Sequence, residues 1–439
     1  MTEFIAKFKI KDKIQKLRKT GFFSIFLSTV LSKVITVLGG IILVRFLSKV
    51  DYGIYAYINN CYSMLFLLND FGISFATLQY LTENIGNKEK QMQIFKYSIK
   101  SSLIASIVTG LLILLSPLFY PYTMEQAKEI MPLLCLVPAI TILGGLMSIL
   151  LRVNFENKKY GKLQIFTTSI TYIVLIILSI IWGLKGAILS RYVYQLLILF
   201  YGVYLAYKII IKLKNTNSKE KLPKNERKGF IKYALACQLN SSIASLMINI
   251  DTFLIGYMIA TPEAVATYNV GNKIPYALTF LSSCIAIYIT PHFVKNNKDL
   301  KWIKRNFNSL LKYSILGFGI MCIGLIILAK LIFTILFGEQ YYDSIPIYIV
   351  LMIGLFFTSA IKVPCSNVLG AMRKIKINII TNSVCLIVNF VSNIVFINWF
   401  GVIGAAITTT ATNIIVSIVY VIYLKKYIKK KETQVNDTK

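Results

Sequence analysis

An all-α, polytopic membrane protein is predicted by three features of the sequence. Of 439 residues, 56% are hydrophobic and only 15% charged, with a mean hydropathy of +0.66, whereas a soluble chain carries closer to a quarter charged residues. The apolar residues come in blocks of about twenty, enough to cross a hydrocarbon core of about 30 Å at 1.5 Å per residue. The gaps between the blocks alternate between lysine-rich and lysine-poor. Soluble enzyme folds are excluded.

Twelve apolar runs follow, near 22–46, 53–79, 98–119, 130–151, 163–183, 186–207, 231–259, 264–292, 310–336, 345–371, 376–399 and 402–424. Each is expected to be a helix, because hydrocarbon offers no partner for backbone polar groups, and barrel strands would show alternating segments of about ten residues. The first run is too long for a cleavable signal peptide and lacks a small-residue cleavage site. Gly39-Gly40 is expected to split it. Pro138 should interrupt the fourth run, while Pro275 and Pro364 each follow a lysine by two residues in the eighth and tenth.

Topology follows from the 48 lysines and arginines. They concentrate in the tail Lys7–Lys19, in the even-numbered gaps (most heavily Lys208 to Lys232) and in the C-terminal tail. Short basic loops stay in the cytoplasm, so both termini are expected inside and the number of spans even. The net charge of +30 is thus topological and implies no nucleic acid. The outward loops are short and mildly acidic.

The hydrophilic stretch Lys212–Lys228 divides the chain into two six-helix halves that echo each other. Gly183-Leu-Lys-Gly186-Ala187 before the sixth run returns as Gly401-Val-Ile-Gly404-Ala405 before the twelfth, and Tyr52-Gly-Ile-Tyr55 resembles Val265-Ala-Thr-Tyr268. Six is even, so the repeat is parallel, with its axis along the membrane normal. The expected organisation is a basic tail 1–20, an N-lobe 21–210, a linker 211–230, a C-lobe 231–425 and a basic tail 426–439.

Charges inside apolar runs are the candidate site. They are Lys33, Asp70, Arg191, Asp251, Lys273 and Lys362; Arg45 and Lys330, near run ends, are expected to snorkel. A central charge costs about 2.5–3.5 kcal/mol on insertion, so these residues should face a polar cavity rather than lipid, or pair with one another. With the turn placed near Pro262, Asp251 and Lys273 lie each about eleven residues along their helices and could pair; Lys33 and Asp70 differ in depth by roughly 5 Å and form a second candidate pair. The alternative for each is a structural ion pair or snorkelling.

Chemistry is not expected. The seven cysteines lie inside apolar runs without metal or CxxC spacing, His292 is the only histidine, and phosphate-loop, dinucleotide and HExxH motifs are missing. No enzyme, cofactor or metal is expected.

The stretch Arg45-Phe-Leu-Ser-Lys-Val-Asp-Tyr-Gly-Ile-Tyr55, then Asp70-Phe-Gly-Ile-Ser74, resembles the opening of the polysaccharide repeat-unit flippases, or O-antigen transporters, of the multidrug, oligosaccharidyl-lipid and polysaccharide exporter superfamily. Ile250-Asp251-Thr-Phe-Leu-Ile-Gly256, Ala266-Thr-Tyr-Asn-Val-Gly271, Leu336-Phe-Gly-Glu339 and Gly401-Val-Ile-Gly404-Ala-Ala406 extend the likeness over most of the chain. The resemblance implies two six-helix lobes in a V and a multi-pass protein of the bacterial cytoplasmic membrane that moves an undecaprenyl-diphosphate-linked oligosaccharide to the outer leaflet for O-antigen or capsule synthesis. Membrane lipids, a polysaccharide polymerase and glycosyltransferases are the implied partners, and a monomer is expected. For such cargo Lys33, Arg191, Lys273 and Lys362 are the expected diphosphate ligands, with Asp70 and Asp251 for ion pairing or coupling; this assignment rests on intramembrane charge rather than on a family motif. A multidrug exporter and a peptidoglycan lipid II flippase of the same superfamily are the alternatives. The four-to-two excess of basic over acidic deep charges disfavours an organic-cation exporter, and the lipid II flippases are expected to carry fourteen spans.

Overall fold

A computed structural model describes residues 22–68, 70–214, 221–296, 299–372 and 374–436. The basic N-terminal tail 1–20 and part of the linker and C-terminal tail lie outside them. The described chain is helical, without strands. The helices are α1 (Phe22–Phe46), α2 (Lys49–Leu65), α3 (Ile73–Glu83), α4 (Lys88–Phe119), α5 (Glu125–Ile130), α6 (Val137–Val153), α7 (Asn157–Lys214), α8 (Lys224–Met258), α9 (Pro262–Lys295), α10 (Leu300–Ile327), α11 (Ala329–Leu336), α12 (Ile345–Phe357), α13 (Val363–Ala371), α14 (Ile375–Phe400) and α15 (Val402–Asn436). Eight of the described helices are long and apolar enough to cross a membrane; a ninth span arises if the bent pair Glu125–Leu134 and Val137–Val153, at 51°, counts as one crossing. Much of this apolar surface is bare, as on α10, where Ile320, Ile323 and Ile327 are exposed. Patches of this extent, on helices long and apolar enough to cross a bilayer, are what a lipid-facing surface requires. The protein is a multi-pass membrane protein.

Breaks fall largely where turn chemistry sits in the sequence. Pro138 opens α6 just after the 51° bend. A π-helical turn, Thr358–Lys362, precedes Pro364 between α12 and α13; such turns relieve a helix whose hydrogen-bond ladder is locally widened and concentrate at functional sites. Within α7, Gly183 takes φ 56°, ψ −136°, and between α14 and α15 Gly401 takes φ 62°, ψ −142°. This region is essentially closed to a residue with a Cβ. A Cβ on Gly186 would strike the Leu178 carbonyl oxygen and one on Gly404 the Phe396 carbonyl oxygen, eight residues back in each case. The echoed pentapeptides therefore fold alike. Gly39-Gly40 does not split α1, which runs unbroken; Gly39 instead leaves room for the Tyr172 ring of α7. α1 is further tied to α7 by Ser28, whose hydroxyl donates to Gln164 Oε1 at 3.2 Å.

The chain forms two compact units, Met1–Leu47 with Ile58–Leu246, and Ser48–Tyr57 with Met247–Lys439. The packing boundary thus falls inside α8, not in the hydrophilic stretch before it, because Phe230 and Ala234 join the first unit's core beside Ile94, Phe95 and Leu150. The second unit has its own core around Phe293, Phe307, Leu369 and Tyr420, and takes in the opening turns of α2.

Candidate functional site

In the second unit α8 and α9 form a hairpin whose turn centres on Ala260, at φ 60°. Residues whose numbers sum to about 520 then face each other. Asp251 meets Tyr268, whose hydroxyl donates to Oδ2 at 2.5 Å, and Asn269 approaches Thr252 at 3.5 Å. Two distant helices complete the Asp251 shell: Asn393 of α14 donates to Oδ1 at 2.8 Å, and Thr409 of α15 donates to Oδ2 at 2.6 Å. Asn389, one turn before Asn393, donates to Thr409 at 3.2 Å. Asp251 is 5% exposed, and its neighbours in this shell are neutral donors. Charge-assisted hydrogen bonds offset part of the desolvation of a buried carboxylate.

This shell forms one wall of a cavity of ≈ 240 Å³, lined also by Asn272, Pro275, Thr358 and Asn413. Thr358 opens the π turn and Lys362 closes it. The Lys362 ammonium donates to Asn413 Oδ1 at 3.0 Å, one turn along α15 from Thr409. The carboxylate and the lysine thus bear on one stretch of α15 without touching.

The anticipated Asp251–Lys273 pair is not formed. Lys273 instead donates to the Tyr52 hydroxyl at 2.8 Å and lies 4.8 Å from that ring's centre. The turn lies two residues before Pro262, which puts Lys273 five residues beyond the partner of Asp251, about 7.5 Å along the axis and on another face.

In the first unit the second anticipated pair, Lys33 with Asp70, is also missing. Asp70 accepts from the backbone N–H of Gly72 at 3.1 Å and of Ser74 at 2.8 Å, and from the Ser74 hydroxyl. It is 3% exposed and braces the start of α3, where the second apolar run breaks. This is side-chain-to-backbone turn chemistry. Its place in a coupling or ion-pairing role is not supported by these contacts. Lys33 is exposed on α1. Arg191 is 9% exposed, stacks its guanidinium 4.5 Å from the Tyr62 ring centre, and keeps Nε without a hydrogen-bond partner.

Ion pairs among the described residues include Lys49–Asp343, Lys90–Glu226 and Lys159–Glu156. None of Lys33, Arg191, Lys273 and Lys362 is ion-paired among them. Sequence reasoning missed Tyr52, Tyr62, Tyr268, Asn389, Asn393, Thr409 and Asn413. The available signal was polar side chains at i, i+4 inside apolar helices: Asn389 with Asn393, Thr409 with Asn413.

Comparison with known proteins decides the family. Residues 19–297, more than half of the chain, match the family described as polysaccharide biosynthesis protein. The chain belongs to the polysaccharide biosynthesis protein family. Among relatives of this family member, a putative O-antigen transporter of Shigella flexneri is 29% identical over 172 residues, 39% of this chain and 40% of that protein; the match thus spans well under half of that relative. An uncharacterized membrane protein of Methanocaldococcus jannaschii is 22% identical over 402 residues, 87% of this chain and 78% of that protein. Two solved structures share the fold. A lipid II flippase MurJ in an inward closed conformation has a TM-score of 0.73 at 16% identity, over 91% of this chain and 87% of that one. An inward-facing multidrug resistance MATE family transporter also has a TM-score of 0.73, at 14% identity, over 91% and 96%. The chain thus shares the fold of these two transporters.

Proposed function

We propose that the protein flips an undecaprenyl-diphosphate-linked oligosaccharide repeat unit from the inner to the outer leaflet of a bacterial cytoplasmic membrane, for O-antigen, capsule or related surface polysaccharide. The observation that carries this reading is the set of cations without acidic partners: Lys33, Arg191, Lys273 and Lys362 sit in apolar helices, and none is ion-paired among the described residues. A buried or membrane-embedded cation is costly unless something anionic meets it. The cargo's diphosphate is such an anion, its prenyl tail stays in lipid, and only its polar head needs shelter. Arg191, stacked on Tyr62, presents a planar guanidinium suited to two phosphate oxygens at once.

The proposed topology has twelve spans with both termini in the cytoplasm. α7 contributes two, divided at Gly183, and α2 with α3 contributes one broken span. Asp251 is the proposed coupling residue: its carboxylate is buried among neutral donors, opens on the cavity and could take up a proton or a sodium ion there. Cargo and coupling ion then bias the inward–outward equilibrium only through unequal binding to the two states.

The test is surface-polysaccharide assembly in a bacterial strain lacking its own repeat-unit flippase, at matched membrane expression. The parent chain restores assembly, and Lys273→Ala or Arg191→Ala lowers it at least about tenfold, the effect of losing one charge-assisted contact. Arg191→Lys restores only part, because an ammonium cannot reproduce the stacked fork. Assembly at parental level in both alanine variants would remove the cationic site from the reading. Failure of the parent, combined with resistance to organic cations, would replace the flippase by a drug exporter.

A further inference from the structure

Ser48–Tyr57, the opening of α2, packs in the second unit, although α2 runs on without a break into the first. Four of its residues seat it, all on one face. Lys49 donates to Asp343 Oδ2 at 2.5 Å and to the Gln340 carbonyl at 3.1 Å, and Thr267 steadies the same carboxylate at 2.9 Å. Gly53 lies so close to the Pro262 carbonyl that a Cβ has no room, and the Tyr57 ring fills the space above Gly256. Tyr52, 5% exposed, receives the Lys273 ammonium.

We infer that Tyr52 is a positioning residue that masks Lys273, so that seating of Ser48–Tyr57 and capture of an anion by Lys273 oppose each other. The inference rests on the flippase reading for the identity of the anion. Its physical ground is a mismatch of partners. A neutral phenol oxygen is a poor acceptor for an ammonium beside a diphosphate oxygen, so an arriving diphosphate takes the lysine. The seated segment then loses its buried polar anchor and keeps the Lys49–Asp343 pair, whose side chains are 20% and 52% exposed and which is correspondingly weak. By reciprocity, whatever loosens the segment must tighten anion binding. Lys273 thereby links occupancy of the site to release of the one stretch of α2 held in the second unit.

The experiment uses the full chain in lipid nanodiscs with farnesyl diphosphate as probe, reading hydrogen–deuterium exchange of the 48–57 peptide and probe binding by equilibrium dialysis. Saturating probe should raise exchange of that peptide. Tyr52→Phe, which keeps the ring, should raise exchange without probe and tighten probe binding about fivefold, the low end of measured couplings; Asp343→Asn, which leaves Lys273 untouched, should shift both in the same direction. A merely structural Tyr52 would loosen the segment without tightening the probe. Unchanged exchange at saturation, or weaker or unchanged binding in Tyr52→Phe, overturns the inference. If the parent fails to bind the probe, or binds it equally after Lys273→Met, the cargo reading fails instead. Masking is then decided by exchange alone: Tyr52→Phe and Lys273→Met must each raise it, and parental exchange in either overturns masking too.

Discussion

Asp251→Asn is expected to reduce surface-polysaccharide assembly at least about tenfold while the protein still reaches the membrane. The replacement keeps volume and one acceptor oxygen but removes the charge and points an amide at a shell already built of donors: Tyr268 at 2.5 Å, Thr409 at 2.6 Å and Asn393 at 2.8 Å. One buried donor is left without its acceptor, at a cost of about 1–3 kcal/mol, which a helical core of this size survives. The two hydroxyls can turn to accept, so the fold should suffer less than with Asp251→Ala, which orphans the whole shell. Thermal unfolding in detergent alongside the complementation assay separates the two effects. Asp251→Asn should melt only slightly lower yet fail in transport. Parental transport by Asp251→Asn would leave the carboxylate a structural acceptor and end its proposed role in coupling.

The difference between what the sequence revealed and what it hid is one of direction. Run length and the 1.5 Å rise locate residues along a helix, so the all-helical, multi-pass character, the bend at Pro138 and the glycine turns at 183 and 401 were readable, while eight or nine of the twelve expected spans appear as long apolar helices among the described residues. Contacts depend also on rotation about the axis, where one residue is 100°, and on which helices become neighbours. Asp251 and Lys273 looked level; a turn centred two residues earlier than assumed gave Asp251 to Tyr268 and sent Lys273 round to Tyr52, 221 residues away in sequence. Asn393 and Thr409 lie 142 and 158 residues from Asp251, a separation no periodicity reports. Asp70 misled for a different reason. Asp70-Phe71-Gly72 is turn chemistry, but an apolar run on both sides disguised it as mid-helix, and the carboxylate that seemed a membrane charge accepts from the Gly72 and Ser74 N–H groups at the start of α3. The four cations stand out by their position in apolar runs, because a charge there is conspicuous wherever it points; their role as ligands remains the proposal.

Gly183→Ala and Gly401→Ala are expected to destabilise the protein to a similar extent, by about 1–3 kcal/mol each, the cost of holding an L-residue in a region reserved for glycine. Gly186→Ala and Gly404→Ala should cost at least as much, since each would drive a methyl into a carbonyl oxygen eight residues earlier, and only separation of the two helices relieves that overlap. Gly145→Ala is the control: nothing lies within 4 Å of its Cβ position, so the change should be neutral or slightly stabilising through helix propensity. Melting of purified variants, followed by size-exclusion fluorescence, reads all five. The comparison between halves is the informative part. These turns have dihedral angles within about 6° of each other and the same steric conflict, 218 residues apart, so one local structure occurs twice, and a parallel repeat predicts a similar loss in both places. Matching shifts for the 183/401 and 186/404 pairs would bear that out. A large effect in one half with none in the other would make the echo a coincidence of turn chemistry and remove the main local support for the six-plus-six arrangement.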